Sequence, residues 1–117
     1  ALELCEKNKQ PENDNQLIVR IQAYIDEKYG DPSLCLSRIS DLFHISESYF
    51  SFLFKKTVGV NFSTYLEQVR MTQAKHLLET TNIKIADLYV AVGYNNLTSF
   101  RRAFKKKYGV APNALRE

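Results

Sequence analysis

Ser48, Ser51, Phe52 and Lys55 fall at i, i+3, i+4 and i+7, and Thr98, Arg101, Arg102 and Lys105 repeat that spacing fifty residues later. On a helix such positions form a single stripe. Hydroxyl and guanidinium groups suit the edges of bases, and arginine is the usual partner of guanine O6 and N7. Lysine at the distal end of a stripe suits phosphates. Both stripes therefore point to recognition of a nucleic-acid duplex, with Arg101 and Arg102 the stronger readers. Phe52 is an apolar ring where a polar reader is expected. It either meets a thymine methyl or packs on a preceding helix near Tyr24. For Ser48 and Ser51 an ordinary solvated face is the plainer alternative, so the second stripe is expected to carry more base discrimination.

Lys55-Lys56 and Lys105-Lys106-Lys107 close the two stripes. Cations near a helix C-terminus gain ~0.3–1 kcal/mol from the macrodipole. That effect does not explain why five lysines gather on these two segments. Lys55, Lys56, Lys105 and Lys106, together with Asn96 at the start of the second segment, are expected at phosphates.

Each stripe needs a helix buried on its other side. Phe50, Leu53 and Phe54 supply that side in the first case, and Phe100, Ala103 and Phe104 in the second. Ser46 is suited to cap the first helix, and Asn95 or Asn96 the second. Gly59 and Gly109 end them, with Pro112 beyond. A shorter helix precedes each: one burying Leu36, Ile39, Leu42 and Phe43, the other Ile85, Leu88 and Val92. The turns fall at His44-Ile45 and Gly93, and histidine is among the residues that tolerate a left-handed backbone. The unit is thus a helix, a tight turn and a second helix, present twice.

Between the copies, Phe62 to about Thr80 reads as one long helix of roughly 28 Å. Its apolar residues form two faces, Phe62, Tyr65, Leu66 and Val69, then Ala74, Leu77 and Leu78, so it can serve two cores. Arg70, midway along it, is expected to join the bundles through an ion pair, with DNA contact the lesser alternative. From Gln16 a further helical stripe runs through Leu17, Ile18, Ile21, Tyr24 and Ile25, stopped by Gly30 and Asp31-Pro32. Residues 1–15 are polar, include Pro11, and read as a flexible lead-in from a missing N-terminal domain. No segment alternates with period two. The expected fold is all-α, with about seven helices in two helix-turn-helix subdomains. These are a first unit over 16–60, a linker helix over 62–80 and a second unit over 82–117. The recognition helices lie near 47–57 and 97–108.

At 117 residues the chain can form one compact domain or two very small ones. Its 44% hydrophobic and 25% charged content is ordinary for a globular protein. The net charge of +3 conceals an asymmetry. Residues 1–31 hold four basic and seven acidic side chains, and residues 32–117 hold twelve basic and six acidic. The positive charge therefore belongs to the duplicated region, as a polyanion-binding surface requires. Cys5 and Cys35 are too few for a disulfide framework, and no Cys or His spacing suggests zinc. His44 falls at a turn and His76 on a polar helix face. No glycine-rich phosphate loop, Ser-His-Asp set or carboxylate cluster appears, so no catalytic residue, metal or cofactor is expected. No apolar run approaches a membrane span, and no signal peptide is visible, which points to the cytoplasm.

The run Phe62-Ser-Thr-Tyr-Leu-Glu-Gln-Val-Arg70, then Ala74-Lys-His-Leu-Leu78, Ile85 to Gly93-Tyr94, Phe100, Phe104-Lys105 and Gly109-Val-Ala-Pro112 resembles the AraC/XylS family of bacterial transcription regulators. The resemblance covers about residues 16–117. It implies a DNA-binding domain of two helix-turn-helix units on a linker helix, attached to an effector-binding, dimerisation or receiver domain. It matches Ser48, Ser51 and Phe52 to the first helix's readers, and Thr98, Ser99 and Arg102 to the second's. Ser40 and Tyr89 depart from the family's alanines, and Cys35 from its hydroxyl cap. The partners expected are double-stranded DNA and RNA polymerase, with a homodimer formed through the missing domain in an activator. The rival reading is a helical interaction module whose basic faces dock an acidic protein.

Overall fold

The computed structural model describes residues 11–116, with side chains from 14 to 115. Among the described residues there are seven helices and no strand. They are α1 (Pro11–Lys28), α2 (Leu36–Leu42), α3 (Glu47–Val58), α4 (Phe62–Thr80), α5 (Ile85–Ala91), α6 (Leu97–Tyr108) and α7 (Pro112–Arg116). α1 begins at Pro11 rather than Gln16, so residues 11–15, expected in a flexible lead-in, are helical. Residues 1–10 lie outside the described residues. Proline is tolerated in a first helical turn, where its missing N–H has no intrahelical partner. This early turn is also anchored: the Tyr49 hydroxyl of α3 donates to Asp14 Oδ1 at 2.7 Å.

Two separate cores form. The first unites Ile18, Ile21 and Ile25 of α1 with Ile39 of α2, Phe50, Leu53 and Phe54 of α3, and Phe62 and Leu66 of α4. Its rings meet mostly edge to face, with Phe50 5.6 Å from both Phe54 and Phe62, and Phe54 5.4 Å from Tyr65. The second unites Met71, Ala74 and Leu78 of α4 with Leu88 of α5, Val92 just beyond it, and Phe100, Ala103 and Phe104 of α6. α4 serves both because its buried face changes sides. Met71 follows Phe62 by nine residues, about two and a half turns, so the two side chains leave opposite sides of the rod.

One expectation for the core needs correction, and one core residue was left unassigned. Leu42 is 48% exposed: the buried side of α2 centres on Leu36, Ile39, Ser40 and Phe43, and Leu42 lies more than a quarter turn away. Met71, not assigned to either face, is fully buried in the second core. Ser40 is buried without loss, since its hydroxyl donates to the Leu36 carbonyl at 2.9 Å. The bulkier Tyr89 is accommodated half-buried at the edge of the second core.

The result is a long particle, 56 × 22 × 22 Å, with a radius of gyration of 16.8 Å. A compact chain of this length would have a radius near 13 Å. The two cores meet at one junction. Tyr29, after α1, packs against both. Arg70 of α4 lies beside it, donating from Nε to the Tyr29 carbonyl at 2.9 Å and from Nη2 to the Asp31 carbonyl at 3.0 Å. Its guanidinium also stacks 5.6 Å from the Tyr94 ring of the second unit. The expected tie between bundles is therefore present, but backbone carbonyls make it rather than a carboxylate. A fork of N–H donors matches two neighbouring carbonyls beyond a helix end, where the dipole is negative.

Candidate nucleic-acid interface

The two helix-turn-helix units share one turn geometry. In the first, the Ile45 N–H donates to the Ser40 carbonyl at 3.0 Å and His44 N–H to Asp41 at 3.3 Å. In the second, Tyr94 N–H donates to Tyr89 at 2.9 Å and Gly93 N–H to Val90 at 3.1 Å. This paired closure requires a left-handed residue just past the helix. His44 fills that place at φ 60° and Gly93 at φ 95°. Gly93 has a second reason to lack a side chain, because a Cβ there would overlap the Tyr29 carbonyl and come within 2.8 Å of Arg70 Nε.

After the turn, each recognition helix is capped in the same way. Ser46 Oγ accepts from Tyr49 N–H at 3.0 Å to start α3, and Asn96 Oδ1 accepts from Ser99 N–H at 3.0 Å to start α6. Gly59 (φ 100°) and Gly109 (φ 80°) end them, their N–H groups donating to Lys55 and Lys105 carbonyls. Asn96 rather than Asn95 is thus the cap. Its expected place at a phosphate leaves the side-chain amide N–H₂ for that contact, since the oxygen is engaged. Asn96→Ala should cost about 1 kcal/mol of stability by loss of the cap. Urea denaturation measures this, and an unchanged midpoint would show that the cap contributes nothing.

Burying Phe50, Leu53 and Phe54 turns the opposite side of α3 outward, and Phe100, Ala103 and Phe104 do so for α6. Ser48, Ser51, Phe52 and Lys55 are all exposed on α3, and Thr98, Arg101, Arg102 and Lys105 on α6. Ser99 is exposed but flanks the second stripe by a quarter turn or so. Lys56 and Lys106 are exposed on the corresponding flanks. Lys106 lines a groove between α4 and α6 with Thr64, Glu67 and Lys107. Lys107 is turned toward the Tyr108 ring, its Nζ 5.5 Å from the centroid.

Phe52 does not pack on α1. It is 62% exposed, with Lys56 Nζ 5.6 Å from its centroid, while Tyr24 pairs with Phe43 at 6.1 Å. Among the described residues the ion pairs are Arg38–Asp31 and Lys75–Glu79, so no carboxylate there forms an ion pair with the cations of α3 or α6. One contributor escaped the sequence reading. Tyr49 occupies in α3 the place of Ser99 in α6 and ties α3 to α1 through Asp14, whose carboxylate holds the phenol above its ordinary range. A tyrosine in a first helical turn gives no local sign of a partner 35 residues away.

Two helix-turn-helix units on one rod, each presenting an exposed hydroxyl or cationic stripe, define a DNA-binding domain. Comparison with known proteins agrees. A helix-turn-helix domain family matches residues 39–117. The chain belongs to the AraC/XylS family of transcription regulators, of which this is the DNA-binding domain. It is 33% identical over 113 residues to the bifunctional transcriptional activator/DNA repair enzyme AdaA of Bacillus subtilis (strain 168), covering 97% of this chain and 53% of AdaA. The C-terminal domain of the two-component response regulator yesN from Fusobacterium nucleatum superposes with a TM-score of 0.82 at 39% identity, covering 90% of this chain and 99% of that one. The same fold occurs in the DNA-binding domain of AdpA, solved with a target DNA, at a TM-score of 0.80, 21% identity and coverage of 85% and 88%. The chain spans between 35% and 53% of the length of the first curated relatives it matches. Among the described residues no helix is long and apolar enough to cross a membrane.

Proposed function

We propose that the chain binds double-stranded DNA sequence-specifically by laying α3 and α6 in successive major grooves on one face of the duplex. The observation that carries this reading is the matched register of exposed side chains on both helices, none of them in an ion pair among the described residues. Thr98, Arg101 and Arg102, flanked by Ser99, read bases from α6, and Ser48, Ser51 and Phe52 read them from α3. Phe52, exposed and braced by Lys56, is suited to a thymine methyl. Lys55, Lys56, Asn96, Lys105 and Lys106 hold the phosphates on either side.

The particle is 56 Å long, enough to span the ~34 Å between successive major grooves of straight DNA. If the rod sets a shorter separation, the duplex bends, at a cost of order 1–6 kcal/mol that favours deformable sequences. Selection of bound sites from a random duplex pool tests the proposal. Two enriched boxes about 10–10.5 base pairs apart are expected. A single box would leave one helix off the bases and refute the paired geometry, and no enrichment with no gel shift at low salt would favour the rival module that docks an acidic protein.

Lys106→Ala should weaken binding to every sequence alike and lower the slope of log K against log salt by about 0.9. An unchanged slope would remove Lys106 from the phosphates. To the whole regulator we assign transcription activation, contact with RNA polymerase, self-association through a further domain and a cytoplasmic location. To this chain we assign no reaction: the surface described above offers hydroxyls and cations, suited to binding.

A further inference from the structure

Arg70 is placed where neither bundle needs it. It lies on the turn of α4 at which the buried face changes sides, half-buried, and its burial pushes the guanidinium below its ordinary value. Desolvating a cation is costly, and a well-packed apolar side chain would serve a core better. What Arg70 gains instead is reach in three directions. It donates to the carbonyls of Tyr29 and Asp31 in the first unit, and it stacks on Tyr94 beside the second unit's turn. The backbones are pressed together at the same place: a Cβ on Gly30 would come within 2.9 Å of the Ala91 carbonyl, and one on Gly93 would overlap Tyr29. Tyr29 completes the joint by packing on both cores.

We propose that Arg70 is a positioning residue for the paired recognition helices: by bolting the loop after α1 to the turn before α6, it fixes their separation and makes the chain accept one spacing between its two DNA boxes. This rests on the double-groove reading above. α4 is the covalent rod that joins the cores, and Arg70 with the contacts around it holds one unit against the other where the rod's buried face changes sides. Over the ~34 Å between grooves, a bend of about 10° would displace one reader by about 6 Å. That is nearly two base-pair steps of about 3.4 Å each.

The test uses duplexes carrying the two selected boxes at their preferred spacing and with one or two base pairs added or removed. The wild-type chain should lose about tenfold or more in affinity for a two-base-pair change, because one helix forfeits its base contacts. Arg70→Ala should bind the preferred site more weakly and vary less than about threefold across the series, since the readers then adapt independently. A variant profile as steep as wild type overturns the proposal. A DNA-free arm separates this from the failure of the binding proposal itself. Amide residual dipolar couplings from both units should fit one alignment tensor in wild type and two in Arg70→Ala; a single shared tensor in the variant overturns it. If Arg70→Ala loses its helical circular dichroism, Arg70→Lys carries the test, keeping charge and stem but not the planar fork. A flattened profile there supports the assignment, and a wild-type profile refutes it. A wild type that binds both boxes equally well at every spacing overturns the proposal; if it selects no pair of boxes, the double-groove reading falls and the couplings alone judge the joint.

Discussion

Phe100→Ala is expected to remove about 3–5 kcal/mol of stability and to unfold the second bundle while the first persists. Phe100 is fully buried at the start of α6, edge-on to Tyr94 at 5.7 Å and tilted against Phe104 at 5.9 Å. Phe104 in turn lies tilted against Tyr108 at 4.7 Å, whose hydroxyl donates to the Met71 carbonyl of α4. Truncating the first ring leaves a cavity at the head of this aromatic row, and dense cores relax only partly around such a gap. A bundle this small has only a few kcal/mol in hand, so the loss is enough to melt it. The first core shares no buried residue with the second, which is why it should survive. Urea denaturation followed by circular dichroism should show two transitions in the variant, the earlier one absent from wild type. A single transition displaced by less than about 1 kcal/mol would contradict this account of the core.

Arg102→Ala should cost about 1–3 kcal/mol on the selected site, roughly 5- to 150-fold, with little loss on random duplex. Arg102 lies at the centre of the outward face of α6, between Thr98 and Lys105, and no carboxylate among the described residues competes for it. A bidentate arginine contact discriminates because the wrong base leaves its donors unpaired. A phosphate contact, by comparison, is blind to sequence. Competitive gel shifts with each base pair varied in turn should show preference relaxed at one position. Equal weakening on specific and random DNA would reassign Arg102 to the backbone. The matching place in α3 is Phe52, so the same substitution there should change affinity less and relax only a preference for thymine.

The recognition helices were legible in the sequence because one local rule sets them. Buried residues at i, i+3 and i+4 fix the inward side of α3 and α6, and geometry then dictates what faces out. Ser46, Asn96, Gly59 and Gly109 mark their ends by cap chemistry that acts within four residues. α4 was equally readable, from Phe62 to Thr80, because its apolar pattern is long; Asn61, which caps it, was not singled out. What escaped depends on partners distant in the chain. α1 reaches back to Pro11, with its first turns held at Asp14 by Tyr49 of α3. Arg70 was placed correctly as a link between bundles, yet its partners are carbonyls, which every residue carries and which no composition reveals. Leu42 was misplaced and Met71 left unassigned for a related reason. A seven-residue helix gives too few positions to locate its buried side, and Met71 lies where one face of α4 hands over to another.

That handover constrains how such a regulator can diverge. Inserting one residue into α4 would swing everything downstream by about 100° and advance it only about 1.5 Å, taking α6 off the duplex. Seven residues nearly restore the angle, but they part the two readers by about 10.5 Å and pull Arg70 from its carbonyls. Gradual lengthening of the rod is therefore closed as a route to new operators. On the double-groove proposal, a chain of this fold would change what it reads by exchanging side chains on α3 and α6, while the distance between the words stays the same.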